Sequence, residues 1–180
     1  MSKESPRWGI HLKLSETEAA FSPEVQAVRD LITRYAGYID SGNAERLRTI
    51  CTPNCQLDVV HFHRRYKGID NVIGFYAGNP EKKRESIFVP ETMQHHVSNQ
   101  LVKISKGGNE AHATAQYLAN AVLRKGALSI WSGLYAFHMK KIDGRWKIID
   151  FKIDRVFDIE LPNVRQRGSS FETPSKSRNR

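Results

Sequence analysis

Apolar residues in the first third of the chain recur at helical spacing. Val25, Val28, Ile32, Tyr35 and Ile39 fall three or four apart, which predicts one buried stripe on a helix of roughly five turns. Ser22-Pro23-Glu24 has the composition of a helix start, with Ser at the cap, Pro at the first helical position and an acid behind it. Asp40-Ser41-Gly42-Asn43 breaks the helix. A short second helix is expected over 44–50 with Leu47 and Ile50 inward, followed by a turn at Thr52-Pro53-Asn54. Residues 55–66 read as a strand or a strand with a loop. Gly68-Ile69-Asp70 leads a third helix that turns Val72, Ile73 and Tyr76 inward, and 79–91 read as a charged, Pro-bounded loop.

From Met93 the period changes from helical to alternating. Residues 93–104 fit a strand, and Gly107-Gly108-Asn109 is a hairpin turn. Over 111–123 the odd positions are Ala111, Ala113, Ala115, Tyr117, Ala119, Ala121 and Leu123, and the even ones include His112, Thr114, Gln116 and Asn120. That alternation is a half-buried strand whose small inward residues leave room for something. Residues 129–141 alternate too, with Trp131, Gly133, Tyr135, Phe137 and Met139 on one face. Asp143-Gly144 is a second hairpin turn, and 145–157 form the last strand. Helices first and consecutive antiparallel strands afterwards argue an α+β fold, with helices covering one face of a curved sheet.

Length and composition narrow the class. The 180 residues, 39% hydrophobic and 26% charged, fit one soluble domain with a core that needs no disulfide or metal staple. No apolar run approaches the roughly 18 residues of a membrane helix. The first residues lack a signal-peptide core, and Cys51 and Cys55 make no disulfide framework. A cytoplasmic location is therefore expected. Of the net charge of +9, the segment 164–180 supplies +4, from Arg165, Arg167, Lys176, Arg178 and Arg180 against Glu172. It reads as a flexible basic tail, as 1–21 read as an extended arm around a domain at 22–162. No aromatic-interleaved basic patch points to nucleic acid, and no membrane partner is expected.

Few residues carry candidate chemistry. Asp40 sits where the long helix ends, where an acid opposes the helix dipole; it is either a solvated turn residue or a functional acid. His95 and His96 open a strand and face opposite sides. A histidine facing a cavity beside an acid is a plausible general base, and a hydrogen-bonded structural histidine is the bland alternative. His61, His63, His95 and His96 crowd into 36 residues, and His61-x-His63 on a strand would share a face. A zinc or iron site there is weighed and set aside, so neither metal nor cofactor is expected. Tyr117, Trp131, Tyr135 and Phe137 make an inward aromatic stripe among alanines, which is either plain core or the wall of a pocket for a small apolar or aromatic molecule.

Four segments together, VRDLITRYAGYIDSGNAERLRTICTPNCQLDV, YKGIDNVIGFY, QHHVSNQLV and YAFHMKKIDGRWKIIDFKI, resemble the SnoaL-like branch of the NTF2-like superfamily over about 25–157. The resemblance implies a cone: a curved antiparallel sheet around the helices, with a pocket at its open end. Within that branch the chain is similar to the scytalone dehydratase-like enzymes, which use an acid at the end of the first helix and a histidine opening the strand after the third. These fall on Asp40 and His95; Asn99, four residues on, keeps the spacing and favours His95 over His96. The resemblance thus implies a cofactor-free lyase or isomerase. Other polar positions of the branch fall on Ile39, Val59, Ala121, Gly133 and Tyr135, so substrate contacts are expected instead from Tyr35, Tyr117, Asn120, Trp131, Tyr135, Phe137 and Arg155. QHHVSNQLV and GRWKI also resemble the small, non-catalytic subunit of aromatic-ring-hydroxylating dioxygenases, and a binding or cyclase-type relative is a third reading. The superfamily implies a homo-oligomer, a dimer or trimer. Ile130, Leu134 and Ala136 are expected to form an outward apolar patch, and 157–162 are expected to be ordered as a lid or a docking strand.

Overall fold

The computed structural model describes residues 22–77, 93–123 and 126–162. The expected arm, basic tail and charged loop over 79–91 lie outside them. The long helix, α1 (Pro23–Asp40), buries the expected stripe, with Leu31 and Ala36 added. Ser22 is extended but makes no side-chain cap bond. Glu24 anchors this end instead, accepting from Lys141 Nζ at 2.7 Å and Trp146 Nε1 at 2.8 Å. The short second helix is a 3₁₀ turn over Ala44–Thr49. The third helix, α2 (Ile69–Ala77), buries Ile69, Val72 and Ile73.

Six strands form one sheet: β1 (Cys51–Val59), β2 (Arg64–Lys67), β3 (Gln94–Ile104), β4 (Glu110–Val122), β5 (Leu128–Ile142) and β6 (Arg145–Leu161), in the order β2-β1-β6-β5-β4-β3. The result is the expected α+β fold, with N-terminal helices against a curved sheet. Two local expectations change. The sheet is not wholly antiparallel, because β1 pairs parallel with β6. Thr52-Pro53-Asn54 is not a turn between elements but an irregularity inside β1, where the register jumps from Cys51 opposite Ile148 to Gln56 opposite Asp150. Of the two readings of 55–66, the strand with a loop holds: the end of β1, a 3₁₀ turn over Val60–Phe62, and β2.

The alternation over β4 holds: Ala111, Ala113, Ala115, Tyr117, Ala119 and Ala121 are all buried and share one core cluster with the stripe of α1. The expected outward patch on β5 does not form, since Ile130 and Leu134 are half-buried and Ala136 is buried. The large exposed apolar side chains include Leu118 and, near the end of β6, Val156, Phe157, Ile159 and Leu161. Residues 157–161 are ordered as expected, but they extend β6 along β5, with Ser132 opposite Phe157 and Leu128 opposite Leu161. That ladder engages one edge of the segment; on the other edge the pairing of β6 with β1 ends at Ile153. No described helix is long and apolar enough to cross a membrane.

Candidate active site

Asp40 owes its position to the way α1 stops. Ser41 N–H still donates to Gly37 O, and Gly42 then takes φ +66°, a conformation that costs glycine little. The chain turns away and leaves Asp40 as the last helical residue. Opposite it, β3 carries a bulge: Asn99 has φ 50°, and the register slips between Ser98 and Leu101. Before the slip His95 and Val97 stand opposite Ala119 and Tyr117; after it Val102 stands opposite Ala113. The bulge thus reverses the phase of alternation, so His95 and Val102 both face inward. Arg29 Nη2 donates to Gln100 O at 3.3 Å and ties α1 to this bulge.

These two devices bring Asp40 and His95 together across 55 residues. His95 Nδ1 lies 2.5 Å from Asp40 Oδ1, and the backbone N–H of His95 donates to Asp40 Oδ2 at 2.9 Å. Both carboxylate oxygens are used, so ring and helix end are held in one orientation. The His95 side chain is only 7% exposed and that of Asp40 25%. With Asp40 ionised, Nδ1 carries the proton and donates it, which leaves the lone pair of a neutral ring on Nε2. His96, on the other face, is exposed.

Aromatic rings wall this pair. The His95 ring centroid is 6.1 Å from that of Tyr117 and 6.4 Å from that of Trp131. Tyr117 stacks on Tyr135 at 4.3 Å. The Arg155 guanidinium lies 5.9 Å from the Trp131 ring and 5.5 Å from Phe62, within cation–π reach. Gly133 permits this packing: a Cβ there would stand 1.9 Å from the backbone oxygen of Asp154 and 2.8 Å from the Tyr117 hydroxyl. Tyr117 donates to that same Asp154 oxygen at 3.5 Å. Burial pushes the Tyr117 hydroxyl up to about 12, with nearby Arg155 pulling against it. Burial raises Tyr35, Tyr76 and Tyr135 well above their ordinary value. These phenols remain protonated donors at neutral pH rather than bases.

The remaining expected contacts divide. Tyr35 and Phe137 are core: the Tyr35 hydroxyl bonds that of Tyr76 at 2.5 Å, and its ring meets Tyr135, Phe137 and Phe151 edge-on. Asn120 is corrected, since it lies on the opposite face of β4 from Tyr117 and away from the pair. The four histidines weighed as a metal cluster scatter. His61 sits in a 3₁₀ turn and His63 is left-handed, so they are no strand pair. His61 Nδ1 accepts the backbone N–H of Arg155 at 3.1 Å, and its Nε2 is buried with no hydrogen-bond partner. Burial, then Arg155, lowers its pKa and keeps it neutral. Beside it, 4.0 Å away, is the carboxylate of Asp154, only 2% exposed. The sequence pattern did not single out Asp154 or Phe62; both depend on the β5–β6 irregularity at Gly133 and the turn after β1. An open groove lined by Asp58, Val59, Val60, His63, Arg64 and Arg65 lies at the β1–β2 hairpin and contains none of Asp40, His95, Tyr117, Trp131 and Arg155.

Comparison with known proteins places the chain in a family. The SnoaL-like domain matches residues 22–152. Among solved structures, a candidate scytalone dehydratase from Novosphingobium aromaticivorans is similar, with TM-score 0.65, 20% identity, and coverage of 81% of this chain and 95% of that one. The type-3 hexachlorocyclohexane dehydrochlorinase LinA of Novosphingobium barchaimii gives TM-score 0.66 at 14% identity, covering 80% and 94%. An NTF2-like superfamily protein of Salmonella enterica gives 0.63 at 18%, covering 86% and 100%. At these identities the likeness is one of fold. No curated protein matches the chain. With a domain match over most of its length, the chain belongs to the SnoaL-like family.

Proposed function

We propose that the protein is a cofactor-free lyase or isomerase acting on a small, largely apolar carbonyl or ring compound, with Asp40 and His95 as its acid–base pair. The 2.5 Å bond between His95 Nδ1 and Asp40 Oδ1, against an aromatic wall, carries the reading. His95 Nε2 takes a proton from a carbon next to an electron-withdrawing group. The C–H electron pair then forms a C=C bond as a leaving group departs with its own pair, or forms an enolate that is reprotonated elsewhere. Asp40 fixes the tautomer and stabilises the imidazolium. Tyr117, as a donor, and Arg155, as a cation, stabilise the oxygen or leaving group that gains charge. Trp131 and Tyr135 supply apolar surface for the substrate. The dehydratase and dehydrochlorinase among the structural neighbours support elimination as the reaction class.

The test has two arms. Nitrogen-15 NMR of the imidazoles reads the tautomer without a substrate: His95 is expected to carry its proton on Nδ1, and a proton on Nε2 in the neutral ring overturns the assignment. The second arm incubates the protein in D₂O with a panel of small cyclic ketones and halogenated rings, following deuterium uptake and elimination. His95→Gln is expected to lower turnover by about 10²–10⁴-fold, the usual share of a general base, and Asp40→Asn by a similar factor. Unchanged turnover in a folded His95→Gln protein sinks the proposal.

A further inference from the structure

The geometry points to a divalent-metal site on the outer face of the sheet, formed by Glu110, His112 and His138 and supported by Asp150. It is separate from the Asp40–His95 pair and does not depend on the function proposed for that pair. The odd residues of β4 enter the core, so alternation puts His112 on the opposite face. Register sets His112 opposite His138, and His138 opposite Asp150. One row of side chains therefore crosses β4, β5 and β6, with Glu110 two residues from His112 on the same face.

The donor atoms converge. One atom each from Glu110, His112 and His138 lies within 4.8 Å of the others. The two imidazoles stack with centroids 4.5 Å apart and planes 12° apart. His138 Nε2 is 2.5 Å from Glu110 Oε1, while Nδ1, on the other edge of the ring, is 3.4 Å from Asp150 Oδ2. That sandwich carries the inference. A carboxylate behind a histidine ring fixes its tautomer and aims the opposite nitrogen at a metal; Asp150 stands in that place, and Nε2 faces the other ligands.

Two imidazoles and one carboxylate suit zinc better than magnesium or calcium, which prefer all-oxygen shells. Tetrahedral zinc with bonds near 2.0–2.1 Å needs its ligands about 3.3 Å apart. Closing the present spacing asks for rotamer changes in side chains that are 24% exposed at His138 and 39% at Glu110. The proton between His138 and Glu110 leaves as the metal enters. Lys140, whose Nζ is 3.9 Å from Glu110 Oε1, is displaced by the stronger charge. Water fills the fourth position.

Isothermal titration of the chelator-treated full chain with zinc chloride, with elemental analysis after dialysis, tests this. One zinc per chain is expected, insensitive to excess magnesium. His112→Gln and His138→Gln are each expected to abolish saturable binding, and Asp150→Asn to weaken it by about 10–100-fold, the usual effect of a group behind the ligand. Circular dichroism confirms that each variant is folded; should His138→Gln fail to fold, Glu110→Gln replaces it. Absence of saturable binding up to about 1 mM zinc, far weaker than structural sites, overturns the inference. So does binding that survives the loss of both histidines.

Discussion

Gly133→Ala tests the close approach of β5 and β6 that seats Tyr117. The added methyl would stand 1.9 Å from the Asp154 backbone oxygen and 2.8 Å from the Tyr117 hydroxyl. Ordinary carbon–oxygen contact begins near 3.4 Å, so relief requires a movement of about 1.5 Å. The obstacle is backbone, held in the β5–β6 ladder where Gly133 stands opposite Arg155, and it cannot rotate aside as a side chain would. Overpacking commonly costs about 1–3 kcal/mol, and a rigid obstacle puts this case near about 3 kcal/mol. For a chain of this size that lowers Tm by about 6–12 °C. Gly37→Ala is the control. Gly37 is an exposed position within α1, and a Cβ there meets nothing within 4 Å. It should gain up to about 1 kcal/mol from helix propensity. Differential scanning calorimetry reads both. A Gly133→Ala protein that melts within about 1 °C of the parent refutes the argument, since overpacking of that kind has a far larger cost.

Glu24→Gln should destabilise the fold at pH 7 by no more than about 1 kcal/mol, because its carboxylate is half-exposed and screened. Its bonds to Lys141 and Trp146 hold its pKa below the ordinary 4.5. Its share of stability is therefore present above pH 4.5 and lost as pH falls through the folded value. Urea melts of parent and variant should converge in acid, and a gap that widens there contradicts the assignment. Tyr35→Phe should cost about 1–2 kcal/mol by stranding the Tyr76 hydroxyl, and Tyr35→Phe with Tyr76→Phe should recover most of it; a double variant worse than the single shows that the pair is not what matters. Tyr117→Phe and Arg155→Gln should each lower kcat about 10–100-fold, toward the effect of losing one charge-stabilising donor. An unchanged kcat removes them from the proposed chemistry.

Elements set by local periodicity were legible in the sequence. The stripe of α1, the alternating alanines of β4 and the Asp143-Gly144 hairpin appear where the spacing predicts them. Features that insert residues without a repeat were not. Pro53 reads as turn chemistry yet lies within β1, because a parallel partner about 95 residues away absorbs the irregularity. The bulges at Asn99 and Gly133 reverse or shift alternation, which a period of two cannot anticipate. Asp40 looked no different from a solvated helix end by position alone; the resemblance drew attention to it, and the geometry shows it bonded to His95. Asn120 was misplaced although its even position already put it on the outer face. Glu110, His112 and His138 meet only through the pairing of β4 with β5, a relation no single segment contains.

The parallel pairing of β1 with β6 also bears on how the chain reaches its native state. Strands β3 to β6 form a meander and can assemble from local contacts. β1 can pair locally with β2, but its other edge must wait for residues 148–153, about 95 positions later. Closing so long a loop before any contact rewards it is slow. During synthesis from the N-terminus, the apolar stripe of α1 and the inward side chains of β1 emerge before the surface that covers them. The N-terminal third should therefore remain protease-sensitive and prone to aggregation until the last strand is made. A chain that stops before Arg145 lacks the central strand that links β1 to the meander, and it should not fold.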